Sequence, residues 1–184
     1  TVDPAHACSA GRLAGREKWV GGRALAASVL RLNLEAPPEG FGAPVLDRDA
    51  KLVGVLLLGA ERGSKRGVSY VLPVEHVAKL LRDYRRHGRS IASWLGLGMA
   101  MGSSTPEIVS VSDGGPAARA GLRAGDVIMS IDGRPVTDYQ DVIDSCYVLT
   151  ANEPVAINLL RGLDVLEVEL TPEPRRRHED KAAN

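Results

Sequence analysis

The chain has 184 residues, of which 44% are hydrophobic and 25% are charged, fractions typical of a globular protein with one large or two small domains. Lysine plus arginine and aspartate plus glutamate number 23 each, and this balance argues against a dedicated nucleic-acid-binding protein. The longest apolar run, residues 52–60, is far shorter than the ~20 residues of a membrane span, and no signal peptide is visible.

The composition also predicts neither a metal site nor a cofactor. The two cysteines, Cys8 and Cys146, fall in different segments, which argues against a disulfide framework and leaves no C-x-x-C metal-ligand spacing. We expect Cys146 to be buried as a small apolar residue. The chain begins at Thr1 rather than at methionine, so we expect it to be either processed or a piece of a longer protein.

The first third of the chain is predicted to be mostly β-structure. Residues 1–18 have no clear period and are predicted to form a loop. Four later segments have the alternating or continuous apolar pattern of strands: residues 28–34, 43–47, 51–59 and 68–73. The turn at residues 47–50 joins the second and third of these strands into a hairpin, and Pro73 ends the fourth.

A helix is predicted directly after Pro73. Its apolar residues recur at three- and four-residue spacing: Val74, Val77, Leu80, Leu81 and Tyr84. Glu75 lies in the first turn, several cations lie in the last turn, and Gly88 can supply the terminating cap. His76 and His87 lie among the charged residues of this helix, so we expect both to be exposed at the surface.

Short strands and two helices are predicted in the second half of the chain. The strands cover residues 95–101, 107–112, 127–131, 154–162 and 166–171. An alanine-rich segment between glycines predicts a short helix, and Thr137 or Asp138 can cap a helix over residues 139–149. The charged, proline-containing segment 173–184 is predicted to be a disordered tail.

Residues 113–136, "DGGPAARAGLRAGDVIMSIDGRPV", resemble the most recognisable stretch of PDZ domains. Each part has a physical role: Gly121 and Gly125 supply backbone angles that other residues resist, Asp126 orients the start of a strand, and Asp132-Gly133 closes a tight turn. The resemblance implies a PDZ domain over residues 93–172, an α+β fold of five to six strands and two helices.

Upstream of this stretch, Trp94-Leu95-Gly96-Leu97 resembles the carboxylate-binding loop of PDZ domains linked to bacterial proteases. A glycine-containing loop can direct successive backbone N–H groups at the anionic C-terminus of a peptide. The predicted peptide-binding residues are Trp94, Leu95, Gly96, Leu97, Gly98, Met99, Ile143 and Tyr147. An alternative for Ile143 is that it joins Val142, Cys146 and Leu149 on the core face of the last helix.

The residues before the PDZ-like segment resemble the end of an HtrA/Deg trypsin-like serine protease. In that family the nucleophile lies in Gly-Asn-Ser-Gly-Gly-Pro, and here "EGFGAP" takes its place. Gly42 and Pro44 match the motif, Phe41 occupies the serine position, and Ala43 replaces a glycine. An alternative is that this loop is unrelated to the motif and lies beside a hairpin by chance.

The two resemblances together imply a mostly β fold with a few helices. A partial trypsin-like β-barrel would cover residues 1–73, with about four of the six strands of the second barrel, and a linker helix would cover residues 74–92. An incomplete barrel leaves sheet edges exposed, so we expect an upstream segment, a partner chain or a second copy to cover them.

We expect this chain not to be an enzyme by the logic of the family. Phe41 has no hydroxyl to attack a carbonyl, its ring would fill the place of the scissile bond, and His6 is the only histidine that precedes it. Another nucleophile would have to come from Cys8, Ser9 or Ser28, and none of these lies in a nucleophile motif.

The sequence therefore predicts a non-catalytic protein that binds the C-termini or extended segments of peptides and proteins. One alternative is a regulatory or substrate-delivery subunit of an active HtrA-like protease. Another alternative is a fragment of a longer HtrA-like endopeptidase. The possible partners include a second copy of the chain, and the resemblance implies a periplasmic or other extracytoplasmic location.

Overall fold

The computed structural model describes residues 9–18, 27–34, 40–59 and 67–175. His6, Cys8, His178 and the predicted tail beyond Arg175 lie outside these residues. The described residues form thirteen strands and three helices, so the predicted fold class, mostly β with a few helices, is confirmed. The chain divides into two compact units, residues 1–78 and residues 79–184, which are described one at a time.

The first unit contains a five-stranded antiparallel sheet. Its strands are β1 (Arg12–Lys18), β2 (Ser28–Asn33), β3 (Pro44–Leu46), β4 (Leu52–Gly59) and β5 (Ser69–Pro73). They lie in the order β1-β2-β5-β4-β3. The four strands predicted from the apolar pattern are present. The loop predicted over residues 1–18 was wrong from Arg12 onward, because those residues form β1.

The pattern of apolar residues did not predict strand β1, because this strand lies at the edge of the described sheet. Leu13 is 60% exposed, and the register with β2 shifts between Leu13 and Gly15. An edge strand that is exposed on both faces and interrupted by a bulge carries no alternation of apolar and polar residues. Its contact with β2 is instead marked by an ion pair between Glu17 and Arg31, at 2.6 Å.

The hairpin of β3 and β4 forms as the turn residues predict. The Asp47 side chain accepts hydrogen bonds from the N–H groups of Asp49 (2.8 Å) and Lys51 (2.9 Å). Leu32, Leu56 and Val71 from three neighbouring strands form the buried cluster of this sheet.

Helix α1 (Val74–His87) begins after Pro73 and ends at the predicted Gly88 cap, so it is shorter than the linker helix predicted over residues 74–92. Gly88 adopts a φ of 67°, and its N–H donates to the Tyr84 carbonyl at 2.8 Å. The expectation that His76 is exposed was wrong, because it is only 5% exposed, whereas His87 lies at the surface.

The faces of α1 also differ from the amphipathic pattern. Lys79 and Asp83 are 2% exposed, whereas the apolar Leu81 and Tyr84 are 53% and 69% exposed. Lys79 and Asp83 can be buried because they pair with each other and with backbone groups of Ile91.

The second unit contains the remaining short strands and two further helices. The strands are β6 (Ser93–Trp94), β7 (Leu97–Met99), β8 (Ile108–Val111), β9 (Val127–Ile131), β10 (Arg134–Pro135), β11 (Val155–Arg161), β12 (Asp164–Leu170) and β13 (Glu173–Pro174). The helices are α2 (Pro116–Arg119) and α3 (Tyr139–Val148). The described strands form sheets in the orders β10-β9-β11-β12, β7-β8 and β13-β6.

One hydrophobic core joins these elements. Ile108, Ile128, Ile131, Ile157 and Leu159 are fully buried at its centre. At its edge the Asp126 carboxylate, 1% exposed, accepts hydrogen bonds at 2.7 Å from two nitrogens of Arg161 and one at 2.9 Å from the Arg123 N–H. The Arg161 side chain also donates to the Gly121 carbonyl at 2.9 Å. These contacts join the turn before β9 to the end of β11.

The predicted disordered tail begins too early. Glu173 and Pro174 pair with Trp94 and Ser93 as the strands β13 and β6. Glu173 also forms an ion pair with Arg119 at 2.7 Å. The sequence pattern misses this strand because only two residues form it, one of them a proline at an edge position.

Candidate peptide-binding groove

The candidate groove lies in the second unit between β7 and α3, which run in opposite directions. Ser93, just before β7, donates its hydroxyl to the Leu149 carbonyl at the C-terminal end of α3 (2.8 Å). The loop after β7 meets the other end of α3, where the Tyr139 N–H donates to the Ser103 carbonyl (3.1 Å). The loop that leads into β7 therefore lies at the C-terminal end of α3.

Strand β7 has one edge that no described strand occupies. Its register with β8 pairs Leu97 with Val111 and Gly98 with Ser110, and the Ser112 N–H donates to the Gly96 carbonyl at 2.9 Å. In an antiparallel pair, backbone groups point alternately towards and away from the partner strand. The Gly96 carbonyl and the backbone groups of Gly98 therefore face β8, and the N–H and carbonyl groups of Leu97 face the open edge.

In the loop before β7, the carbonyl groups of Leu95 and Gly96 are hydrogen-bonded, whereas their N–H groups are unpaired in the described residues. The Leu95 carbonyl accepts a hydrogen bond from the Ala117 N–H at 2.9 Å, and the Gly96 carbonyl is held by Ser112. Within the part of the chain that the structure describes, the N–H groups of Leu95 and Gly96 have no hydrogen-bond acceptor. Gly96 has a φ of 78°, a left-handed conformation that lets neighbouring N–H groups converge on an anion.

The predicted site residues of the loop and of β7 play different parts. Leu95 is 4% exposed and packs in the core, so its contribution to the groove is its backbone rather than its side chain. Leu97 and Met99 are half-buried and pack against the edge of that core. A Cβ atom on Gly98 would lie 2.2 Å from the Ser110 hydroxyl, so Gly98 allows β7 and β8 to pair closely. Trp94 is half-buried.

Helix α3 forms the opposite wall of the groove. Its N-cap is Asp138, one of the two residues, Thr137 and Asp138, that the sequence offered for this role. The Asp138 side chain accepts the Asp141 N–H at 2.9 Å. The core face carries Val142, Cys146 and Leu149, and Ile143 and Tyr147 share the adjoining face, where both are half-buried.

Two side chains of α3 have pKa values that its surroundings shift. Burial raises the pKa of the Cys146 thiol to about 12, and this side chain, which was predicted to be buried, is half-buried against the core. Burial, and then the negative charge of Asp83, raises the pKa of the Tyr147 phenol. The Tyr147 side chain therefore lies within electrostatic reach of helix α1.

The loop at Phe41, in the first unit, is a tight turn. The Ala43 N–H donates to the Gly40 carbonyl at 3.0 Å, and the Gly42 N–H donates to the Leu56 carbonyl at 2.9 Å. The Phe41 side chain is 51% exposed. Of the alternative nucleophiles, Ser28 is 1% exposed and Ser9 lies at the surface.

The PDZ domain family model matches residues 93–171. Residues 93–171 are a PDZ domain. Over 72% to 80% of its length the chain is homologous to HtrA/Deg serine proteases, as the sequence resemblance implied. Protease Do-like 1, chloroplastic, from Arabidopsis thaliana is 26% identical over 169 residues, which cover 80% of this chain and 38% of that protein. Serine protease HTRA4 from Mus musculus is 31% identical over 157 residues, which cover 72% of this chain and 31% of that protein.

Solved structures show the same fold. The HtrA-type protease AlgW, determined with a tripeptide, has a TM-score of 0.58 at 20% identity, covering 90% of this chain and 60% of that one. The chain spans about a third of the length of the curated relatives it matches. In the described residues, no helix has the length and apolar character needed to cross a membrane.

The sequence missed Lys79 and Asp83, which contact the segment that leads into the PDZ domain. The only signal was a lysine and an aspartate four residues apart on a helix, a spacing that is common on exposed helix surfaces.

Proposed function

We propose that this chain is a non-catalytic peptide-binding protein whose PDZ groove holds the C-terminal residues of a peptide or protein. The observation that carries the proposal is the pair of unpaired N–H groups, on Leu95 and Gly96, at the start of the open edge of β7. A peptide carboxylate has two acceptor oxygens and can accept hydrogen bonds from both N–H groups. The outward N–H of Leu97 lies beside them as a further donor.

The position of this loop fixes the direction of the ligand. Because the carboxylate would lie at the beginning of β7, the rest of the peptide would run antiparallel to β7 as an added strand. Alternate ligand side chains would then face Leu97 and Met99 on the strand and Ile143 and Tyr147 on the helix. The AlgW structures determined with a tripeptide and a decapeptide support peptide binding by this fold. We expect roughly micromolar affinity, since a flexible strand must be ordered on binding.

Fluorescence polarisation with a library of C-terminal peptides tests the proposal. Binding should require a free carboxylate, and a C-terminal amide should bind at least about tenfold more weakly because charge-assisted hydrogen bonds are lost. Leu97→Asp should abolish binding, since it places a carboxylate beside that of the ligand. Val165→Asp is the matched control, because Val165 lies 65% exposed on β12. Equal affinity for the acid and the amide would rule out this mode of binding.

We also propose that the chain performs no serine protease chemistry. The support is the identity of Phe41 at the position that corresponds to the nucleophile, together with the burial of Ser28. A fluorophosphonate probe should label an active HtrA protease and should leave this chain unlabelled. Stoichiometric labelling, mapped to a serine by mass spectrometry, would contradict the proposal.

A second candidate is that the chain works as part of a longer HtrA-like endopeptidase or as its regulatory subunit. The observation that favours it is that the chain spans about a third of its curated relatives. Purification from the native source distinguishes the cases, because mass spectrometry reports both the length of the polypeptide and any protease that accompanies it. We place the protein outside the cytoplasm, since the relatives include a probable periplasmic DegP-like endoprotease, and cell fractionation tests this location.

A further inference from the structure

Helix α1 contains a buried ion pair that neither the PDZ match nor the protease motif includes. The side chains of Lys79 and Asp83 are both 2% exposed. Lys79 donates to the Asp83 carboxylate and to the Ile91 carbonyl, and Asp83 accepts the Ile91 N–H at 2.8 Å. Burying an ion pair carries a desolvation penalty, and the same pair on the surface of α1 would not have this penalty.

The partner of this pair, Ile91, lies just before the carboxylate loop. Three consecutive residues there are each held by a different part of the chain. Ile91 is held by α1, Ala92 accepts the Arg175 N–H at 2.7 Å, and Ser93 donates its hydroxyl to the end of α3. The backbone that leads into Leu95 is therefore fixed from three directions. Helix α1 supplies one of them, and it supplies both hydrogen bonds of Ile91.

The same pair lies near the helical wall of the groove. The charge of Asp83 acts on the Tyr147 phenol of α3. Lys79 neutralises Asp83, which matters because an uncompensated carboxylate close enough to act on Tyr147 would also repel the carboxylate of a ligand in the groove.

We propose that Lys79 and Asp83 are positioning residues for the carboxylate loop, and that they hold Ile91 so that the Leu95 and Gly96 N–H groups keep a fixed spacing. The inference rests on the proposed function of the groove. It implies that the peptide-binding module of this chain begins within α1, about fourteen residues before the segment that the PDZ family model matches.

The test compares free-acid and amidated forms of one peptide on full-length variants. Lys79→Met with Asp83→Leu removes both charges together, so that neither is left buried and unpaired. We expect the ratio of amide to acid Kd to fall from at least about tenfold in the wild type to about threefold or less in the double variant. Arg86→Gln with Glu153→Gln is the control, because it removes an exposed ion pair of the same helix and should leave the ratio unchanged.

A role in folding alone would weaken both peptides equally and leave the ratio unchanged. An unchanged ratio in the folded double variant therefore overturns the inference. If circular dichroism shows that the double variant does not fold, Lys79→Met with Asp83→Asn takes its place, since asparagine can still accept the Ile91 N–H whereas the Ile91 carbonyl loses its donor from Lys79. The ratio should then fall to an intermediate value, and an unchanged ratio again overturns the inference.

If the wild type binds no peptide, the proposed function fails and amide hydrogen exchange decides the inference. The Ala117 and Ser112 N–H groups donate to the Leu95 and Gly96 carbonyls, so their exchange reports on the loop. In the unliganded double variant both should exchange at least about tenfold faster, while Ile157 in the core keeps its wild-type rate. Wild-type rates at Ala117 and Ser112 would overturn the inference.

Discussion

Substituting Asp126 should destabilise the PDZ domain in a manner that depends on pH. Asp126→Asn preserves shape but presents an N–H group to Arg161 in place of one carboxylate oxygen. One of the two hydrogen bonds from Arg161 is then lost, and the remaining bonds to residue 126 lose their charge assistance. A hydrogen bond to a charged group contributes about 1.5–3 kcal/mol, so the total loss should be about 3 kcal/mol at pH 7. Water can still reach Arg161, whose side chain is 31% exposed, which keeps the loss from being larger.

The pH dependence follows from the pKa of Asp126. Its hydrogen bonds with Arg161, and then the Arg123 N–H, hold the pKa of this carboxyl below its ordinary value despite burial. Because the folded pKa is the lower one, the stabilisation is complete above the unfolded pKa of about 3.9 and is lost as the pH falls through the folded pKa. The difference between the wild type and Asp126→Asn should therefore shrink between about pH 5 and pH 2.

Urea unfolding followed by tryptophan fluorescence measures this difference. The chain has two tryptophans, so a Trp19→Phe background leaves Trp94 as a reporter within the PDZ domain. A loss below about 0.5 kcal/mol at pH 7 would show that the Asp126 contacts do not stabilise the fold. A loss that is equal at pH 7 and pH 3 would refute the electrostatic explanation.

Three further substitutions or modifications test other parts of the structure. Gly54→Ala should lower the free energy of unfolding of the first unit by more than about 3 kcal/mol in urea, because the new Cβ would lie 2.1 Å from the Leu72 carbonyl oxygen. A change below about 1 kcal/mol would contradict the register of β4 with β5. Asp138→Ala should lower the free energy of unfolding of the PDZ domain by about 1 kcal/mol, because the cap on the Asp141 N–H is lost, whereas Asp138→Ser should recover most of it. In a Cys8→Ser background, Cys146 should react with Ellman's reagent much more slowly in the folded protein than after unfolding. The reason is that burial raises the pKa of this half-buried thiol to about 12, and rapid reaction in native buffer would contradict its placement.

Much of the fold follows from local sequence signals. The apolar alternation of β2 and the continuous apolar run of β4 each specify a strand, and Asp138 specifies the start of α3 through its own side chain. The PDZ domain was predicted from the resemblance of residues 113–136 to that family, in which the turn glycines act through their backbone angles and Asp126 accepts a hydrogen bond from the nearby Arg123 N–H. These signals are local, so no knowledge of distant contacts is needed to interpret them.

The errors arise where distant contacts decide the outcome. Strand β1 depends on its pairing with β2, and β13 depends on β6, whose partner residue Trp94 lies far away in the sequence. The orientation of α1 depends on Ile91, which lies outside the helix and makes a buried place for Lys79 and Asp83. For the site, the motif predicts the loop, but only the structure distinguishes the backbone role of Leu95 from the side-chain role of Leu97.

The pairing of β6 with β13 has a mechanical consequence. Ser93 lies opposite Pro174 and Trp94 lies opposite Glu173, so the chain enters and leaves the PDZ domain side by side. A force that pulled these two flanking segments apart would break the hydrogen bonds of the strand pairs one after another rather than all at once. Resistance would begin with the bonds of Ile91 to α1 and pass next to the two strand pairs. Leu95 comes directly after them, so a pull on the flanks would disturb the loop that faces the ligand carboxylate before it reached the hydrophobic core.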